Sequence, residues 1–289
     1  MINSNEQQYL NLLQELVHKA EISEKRTERT GTGAYSLFCK TLEFDLTDNK
    51  VPLLTTKNVN YKKILEEGFW MYRLGNPDLS YMDENKNGIW KSWSVYNDEH
   101  PNGTIGRMYG AVVRDKECDQ LAYVMSLLKT SPKSRRAVFS TFDPKAVALE
   151  HLSFEENVKQ GRGSLNSCHG VMNQLYINDD NKLEMYTYTR SNDVFLGCPY
   201  NVAWYATLAH LLARELNTKA VRLIYQIGDA HLYANHLEQA KTQLERTPYK
   251  CPSIVIDREV TTFDSWNDIK QIKLINYRHH SFIKAPVAI

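Results

Sequence analysis

Leu10, Leu13, Leu16 and Val17 recur at helical spacing, which predicts an N-terminal helix over residues 6–20. After the turn-rich loop Arg29-Thr30-Gly31-Thr32-Gly33 the pattern becomes an alternation. Tyr35, Leu37, Cys39, Leu42, Phe44 and Leu46 read as a strand pair or one long bent strand. Residues 58–74 return to helical spacing through Ile64, Leu65, Phe69 and Trp70, with Glu66 and Glu67 among them. A loop-rich region follows, carrying Trp90, Trp93 and Tyr109 among Gly88, Gly103, Gly106 and Gly110. Strand-like runs are expected at 136–142, 170–177 and 183–189, and a strongly apolar helix at 200–216. A strand at 221–227, a helix at 233–245 and strands near 253–257 and 271–277 complete the series. The segment 144–167 is long, charged and glycine-containing, which predicts a surface excursion. The last seven residues, Ile283-Lys284-Ala285-Pro286-Val287-Ala288-Ile289, form an apolar tail unlike a solvated terminus.

No repeat, low-complexity tract or linker interrupts this order, so one α+β domain over residues 1–289 is the economical reading. A chain of 289 residues, 42% hydrophobic, can bury a sizeable core. Its net charge of +1 gives no global electrostatic case for nucleic acid, so any basic site must be local. No segment is apolar for long enough to span a bilayer, and the polar start lacks a basic-then-apolar leader pattern. Five cysteines are an odd number without CxxC spacing, which argues against a disulfide framework or a zinc site. The chain reads as cytoplasmic, with reduced thiols.

Candidate chemistry concentrates in two places. Cys168 has Asn166, Ser167, His169 and Gly170 for neighbours, poor company for a core thiol, whereas the other four cysteines read as small buried hydrophobes. Arg190-Ser191, shortly before the Gly197-Cys198-Pro199 turn, is suited to gripping phosphate, and Arg29 and Arg135-Arg136 are further candidates. Neither a P-loop nor a GxGxxG after a strand is present, so a monophosphate held by side chains fits better than a triphosphate or dinucleotide. The Asn201 amide both donates and accepts, matching the N3–H and O4 edge of uracil; a carboxylate there would suit cytosine. His231 and Tyr233 are expected at the start of a helix, within reach of a sugar hydroxyl. His231 and His236 are five apart, the wrong helical spacing for a shared metal, and no metal is assigned.

Taken together, these residues resemble the thymidylate synthase family over nearly the whole chain. The pieces run in order: Arg29 to Gly33, Thr55-Thr56-Lys57, Glu67 with Trp70, Ile89-Trp90, Tyr109-Gly110, Ser134-Arg135-Arg136 and Cys168-His169. Arg190-Ser191 with Asp193, Gly197 with Pro199 and Asn201, Gly228-Asp229 with His231-Leu232-Tyr233, and the terminal IKAPVAI complete them. The resemblance implies a homodimer whose mixed sheet, packed by helices, offers one face to the partner. It also implies reductive methylation of dUMP by 5,10-methylenetetrahydrofolate as co-substrate. Cys168 would attack C6 of uracil, Glu67 would organise the proton network around O4, and Tyr109 would assist loss of the C5 proton. Arg29, Arg190 and Ser191 would hold the phosphate, with Arg135 and Arg136 reaching across from the partner. Asn201 would read uracil, His169 would stand beside the nucleotide, and His231 and Tyr233 would bind the ribose. Asp193 would bind the pterin, Trp90 and Trp93 would pack on the folate side with Gly197, and Lys57 would meet the glutamate tail. Ala288 and Ile289 would close over the site and exclude water.

The chain also departs from the family's usual pattern. Ser167 stands where proline commonly precedes the nucleophile, and Thr189 where glutamine precedes Arg-Ser. Val113 replaces a tryptophan, Lys91 an aspartate, and Glu66 a frequent histidine. Several of these positions support the folate and water-network side. They keep open an alternative, a dUMP hydroxymethylase of the same fold, in which water rather than hydride adds to the C5 methylene.

Overall fold

The computed structural model describes residues 3–27 and 31–287. Its helices are α1 (Ser4–Ile22), α2 (Tyr61–Gly68), α3 (Ser80–Glu84), α4 (Gly110–Val113), α5 (Gln120–Thr130), α6 (Phe154–Lys159), α7 (Gly197–Glu215) and α8 (Leu237–Leu244). Its strands are β1 (Ala34–Asp45), β2 (Val138–Phe139), β3 (Met172–Ile177), β4 (Leu183–Asp193), β5 (Ala220–Tyr233), β6 (Ser253–Ile256) and β7 (Ile272–Ile275).

The main sheet has the order β1-β5-β4-β3-β2, with β6 and β7 forming a separate pair. Within the main sheet β4 and β5 run parallel and the other neighbours antiparallel, so the sheet is mixed. Alternation sorts its faces. Leu183, Met185, Thr187 and Thr189 of β4, and Leu223, Tyr225 and Ile227 of β5, all point into the core. Against them lies α7, hydrophobic almost all round and therefore buried along most of its length. On α1, Leu10, Leu13, Leu16 and Val17 are buried as their spacing requires, and Asn3 caps the helix by accepting the Glu6 N–H.

Local chemistry sets the elements nearest the site. Asn60 caps α2 by accepting the Lys63 N–H at 3.3 Å. Removing that cap with Asn60→Ala should cost about 1 kcal/mol, read as a lower urea midpoint at unchanged m-value. The helix does not continue regularly to residue 74: Phe69–Leu74 forms a π-helical turn, closed by Gly75 in the left-handed region at φ 62°. The Met71 carbonyl comes so close to residue 110 that a Cβ there would lie 1.5 Å from it, so only glycine can follow Tyr109.

Several expected boundaries move. β4 runs on to Asp193, pairing Ser191 with Asp229 and Asp193 with His231, so Arg190 and Ser191 lie on a strand. β5 runs to Tyr233, which faces Ala34 of β1, and α8 starts only at Leu237. His231 and Tyr233 therefore stand on a strand end rather than a helix start. The strand expected at 136–142 shrinks to Val138–Phe139. The segment 144–167 is not simply surface: Ser153 and Glu156 make a capping box for α6, and Ala146, Ala148, Asn157 and Ser164 are buried.

Candidate active site

The C-terminal ends of β4 and β5 open into a cleft of about 390 Å³, lined by Cys168, Arg190, Ser191, Asp229, His231 and Tyr233 among others. Two consecutive buried residues in β5, Ile227 and Gly228, shift its alternation, so that Asp229, His231 and Tyr233 are the half-buried positions at this end. A Cβ at Gly228 would lie 2.7 Å from the Arg190 carbonyl, so glycine is what lets β5 approach β4 there. The opposite wall comes from the 144–167 segment, through Ala148, Leu149, Glu150, Leu152 and Asn166.

Cys168 is half-buried, and its backbone N–H donates to the Tyr109 hydroxyl at 3.0 Å. The Arg190 Nη2 donates to its sulfur at 3.5 Å, bringing a fixed positive charge against the thiol. Arg190 is itself held: Nε donates to the Ser167 carbonyl and Nη2 to the Asn166 carbonyl, both at 2.9 Å. Its Nη1 has no partner among the described residues. Tyr109 is fully buried with φ 48° and ψ −112°, a sparsely populated positive-φ conformation that costs a non-glycine residue on the order of 1–3 kcal/mol. Burial and the neighbouring Cys168 raise its phenol well above the usual tyrosine range.

His169 packs on Tyr109 with ring centroids 4.6 Å apart, and its Nδ1 meets the Tyr205 hydroxyl at 2.9 Å. Tyr205 in turn meets the Tyr72 hydroxyl at 2.9 Å. Burial lowers the imidazole to about 3, so His169 is neutral at any working pH. On the other side of Tyr109, the Trp90 indole N–H donates to Glu67 Oε1 at 2.7 Å. Burial raises Glu67 to about 7, and the Trp90 bond offsets only part of that. Trp90 stands edge-on to both Tyr109 and Trp93. Glu67 also borders a second opening of about 340 Å³, together with Lys63, Asn87, Gly88, Ile89 and Tyr200. Glu66, by contrast, is buried and lines neither cleft, paired with Lys62 at 3.1 Å and Asn87 at 3.2 Å.

At the start of α7, Asp193 Oδ1 accepts the N–H groups of Phe195 and Leu196 at 2.9 and 3.1 Å, folding the turn that leads to Gly197. Asn201 follows, half-buried, within the first turns of α7. His231 Nδ1 meets Asp229 Oδ1 at 3.2 Å, and that contact is the main reason Asp229 stays below the ordinary carboxylate range.

Not every expected residue converges. Lys57 does not stand out toward a glutamate tail. Glu6 accepts the Thr55 and Thr56 N–H groups and draws this segment inward, so the Lys57 ammonium is buried on the Phe195 carbonyl. It lies 3.5 Å from the centre of the Phe195 ring, and burial lowers it to about 7. Arg135 and Arg136 are exposed on the approach to β2 and do not line the cleft. Arg29, Ala288 and Ile289 lie outside the described residues. The structure adds Asp229, Asn166, Tyr205 and Tyr72 to the site. The last two carry no sequence signal beyond being tyrosines in apolar surroundings. Among the described residues there is no cluster of three or more His, Cys, Asp or Glu that could hold a metal, and no helix long and apolar enough to cross a membrane.

A family model described as thymidylate synthase matches residues 7–289. Over 285 residues the chain is 36% identical to the thymidylate synthase of Francisella philomiragia, covering 98% of this chain and 99% of that protein. It is 35% identical, with the same coverage, to the thymidylate synthase of Francisella tularensis subsp. holarctica. Matches that run nearly end to end on both chains, over a cleft with this chemistry, leave one conclusion: the chain belongs to the thymidylate synthase family.

Proposed function

We propose that this chain converts dUMP to dTMP with 5,10-methylenetetrahydrofolate, through a covalent bond from Cys168 Sγ to C6 of uracil. The observation that carries the reading is the Cys168 sulfur held against the Arg190 guanidinium, in a cleft that also contains Ser191, His231 and Tyr233. A sulfur so placed adds to an electron-poor ring carbon, and the electron pair moves to C5 and O4. Glu67, near half-protonated at neutral pH, serves the proton network around O4, and Tyr109 serves the C5 proton. The Nη1 of Arg190, which has no partner among the described residues, and the Ser191 hydroxyl take the phosphate, Arg29 joins them, and His231 and Tyr233 take the ribose. Neutral His169 lies beside the base, and Asn201 reads it.

The reduced folate supplies both the one-carbon unit and the hydride. The second opening suits a flat aromatic group: Ile89 is exposed beside Tyr200, Trp93 is half-buried next to Trp90, and Glu67 borders it. Asp193 keeps Oδ2 free of described partners for the pterin, and Gly197 leaves space at the start of α7. Ala288 and Ile289 complete the closure that keeps water from the intermediate.

A homodimer fits the outward face of the sheet, where Val138, Met172 and Tyr176 are exposed on the same face as Tyr186, Tyr188 and Ile224. Arg135 and Arg136, exposed beside β2, are then free to reach the partner's phosphate. The test is a product assay on the purified protein with dUMP and methylenetetrahydrofolate. Dihydrofolate appearing in step with dTMP is the expected result. Tetrahydrofolate with 5-hydroxymethyl-dUMP would replace this reading with the hydroxymethylase.

A further inference from the structure

The segment 144–167 walls one side of the cleft, and the steps above give it no part in the chemistry. Its last residues lead directly to the thiol. Ser164 is fixed by its N–H on the Ile105 carbonyl at 2.8 Å. Beyond it, residues 165–167 make no backbone–backbone hydrogen bond among the described residues, and Ser167 brings no ring to stiffen them. Ser167 adds only a 3.4 Å contact from its hydroxyl to the Thr141 carbonyl. The Asn166 side chain holds this stretch instead. Its Oδ1 accepts the Ala148 N–H at 2.7 Å, and its Nδ2 donates to the Ala148 carbonyl at 3.2 Å. Ala148 is itself held on both sides. The Gly163 N–H donates to the Ala146 carbonyl at 3.0 Å, and the Leu149 N–H donates at 2.8 Å to Oδ1 of Asn157, which is 1% exposed.

We propose that Asn166 is a positioning residue that aims the Arg190 guanidinium at the Cys168 sulfur. The inference rests on Cys168 being the nucleophile. The Asn166 and Ser167 carbonyls are consecutive acceptors, and they take Arg190 Nη2 and Nε, both at 2.9 Å. A planar guanidinium gripped along one edge is fixed in direction as well as place. Nη2 carries two hydrogens, and besides the carbonyl it donates to the sulfur at 3.5 Å. The sulfur in turn donates to the same Asn166 carbonyl at 3.6 Å. One carbonyl oxygen thus sets two sides of a triangle, and the third side is the distance from charge to sulfur.

Without the amide clamp nothing else in 165–167 holds those carbonyls at their present depth. An arginine released from them into an open cleft samples many rotamers, and its mean distance from the sulfur lengthens. The attraction between the guanidinium and an anion at the sulfur weakens with that distance. The wall therefore acts on the nucleophile through one side chain, Asn166, and one backbone oxygen.

The test labels Cys168 without nucleotide, using iodoacetate, an anion, and iodoacetamide, its neutral analogue, with both rates read by peptide mass spectrometry. A guanidinium beside the sulfur favours the anionic reagent, so the ratio of rates reports the charge while access cancels. Exposed Cys118 is the internal reference. Asn166→Ala removes the clamp. Asn166→Gln keeps the amide but is one methylene longer, so it satisfies Ala148 only by displacing the backbone. Ser153→Ala removes the α6 cap without touching the triangle and controls for general loosening. Arg190→Ala sets the scale, and circular dichroism checks that each variant folds. The Cys168 ratio should fall by about threefold or more in both Asn166 variants and hold in Ser153→Ala. Rates that rise together at an unchanged ratio mean only a looser wall, which overturns the proposal. If Arg190→Ala lowers the ratio while neither Asn166 variant does, the positioning role alone fails. If Arg190→Ala leaves the ratio intact, the guanidinium does not act on the sulfur, and the proposal falls together with the observation that carries the covalent reading. The ratio is read without nucleotide, so it is judged apart from the product assay.

Discussion

Cys168→Ser should lower kcat by about a thousandfold or more while leaving dUMP affinity within a few-fold of wild type. The substitution changes one atom and keeps the volume. The backbone contact to Tyr109 at 3.0 Å and the anchoring of Arg190 on the Asn166 and Ser167 carbonyls do not use the sulfur. Nucleotide binding, which draws on Arg190, Ser191, His231 and Tyr233, is therefore preserved. What is lost is sulfur as the nucleophile; a serine hydroxyl in the same place is far weaker toward an electron-poor ring carbon. Mass spectrometry of the protein with dUMP and methylenetetrahydrofolate should find a covalent adduct trapped on wild type by acid quench and none on the variant. Turnover within about tenfold of wild type would end the covalent reading, because non-covalent routes have no other activation of C5 to use.

The sequence made much of this cleft legible, for a physical reason: polar residues gathered around a turn and a lone thiol are costly unless they are used. Cys168, Arg190, Ser191, His231 and Tyr233 all line one cleft. What stayed hidden was the route by which they get there. β4 and β5 extend past their apolar alternation into Arg190–Asp193 and Gly228–Tyr233, because parallel pairing satisfies the backbone where the side chains are polar. Periodicity is blind to such a strand end. Polarity misleads there too: Thr187 and Thr189 share the face of Leu183 and Met185 and are buried, as is Asn192 beyond them, although all three are polar. The helix at Gln120–Thr130 is a different case. Leu121, Val124, Met125 and Leu128 show the full amphipathic spacing, so its signal was in the chain. Lys57 marks the opposite limit. Nothing in Thr55-Thr56-Lys57 reveals that Glu6, forty-nine residues earlier than Thr55, draws the segment under the turn before α7. Thr189 reads as a bare departure in sequence, and becomes intelligible only beside the phenol of Tyr225.

Glu67→Gln should slow kcat by roughly a hundredfold to a thousandfold, a range usual for removing a positioned proton donor, with a small change in dUMP affinity. The same substitution should make the protein more stable at alkaline pH, and the two effects share one cause. Burial raises the folded Glu67 from an ordinary 4.5 to about 7. A carboxyl whose folded value is raised binds more protons when folded than when unfolded. Its stabilising contribution is therefore complete below pH 4.5, declines as pH rises toward 7, and is gone above that. The loss over that window is on the order of 3 kcal/mol at most, because Glu67 is half-buried and borders an opening. Glutamine carries no charge and can still accept the Trp90 indole N–H through its carbonyl, so it escapes the loss. Lys57, which burial lowers to about 7, also titrates in this region with the opposite sign, and its contribution cancels when variant and wild type are compared at each pH. Urea midpoints should thus diverge in favour of the glutamine variant between pH 5 and pH 8, in the window set by the 4.5 and 7 values. In the wild type, kcat/KM should fall as pH rises through about 7, because the protonated carboxyl serves O4; in the variant that limb should be missing. A glutamine variant that kept the limb would assign it to another group. One that stayed slow with no gain in stability at alkaline pH would mean that the buried carboxylate is already ionised and paired, leaving Glu67 to orient Trp90 rather than carry a proton.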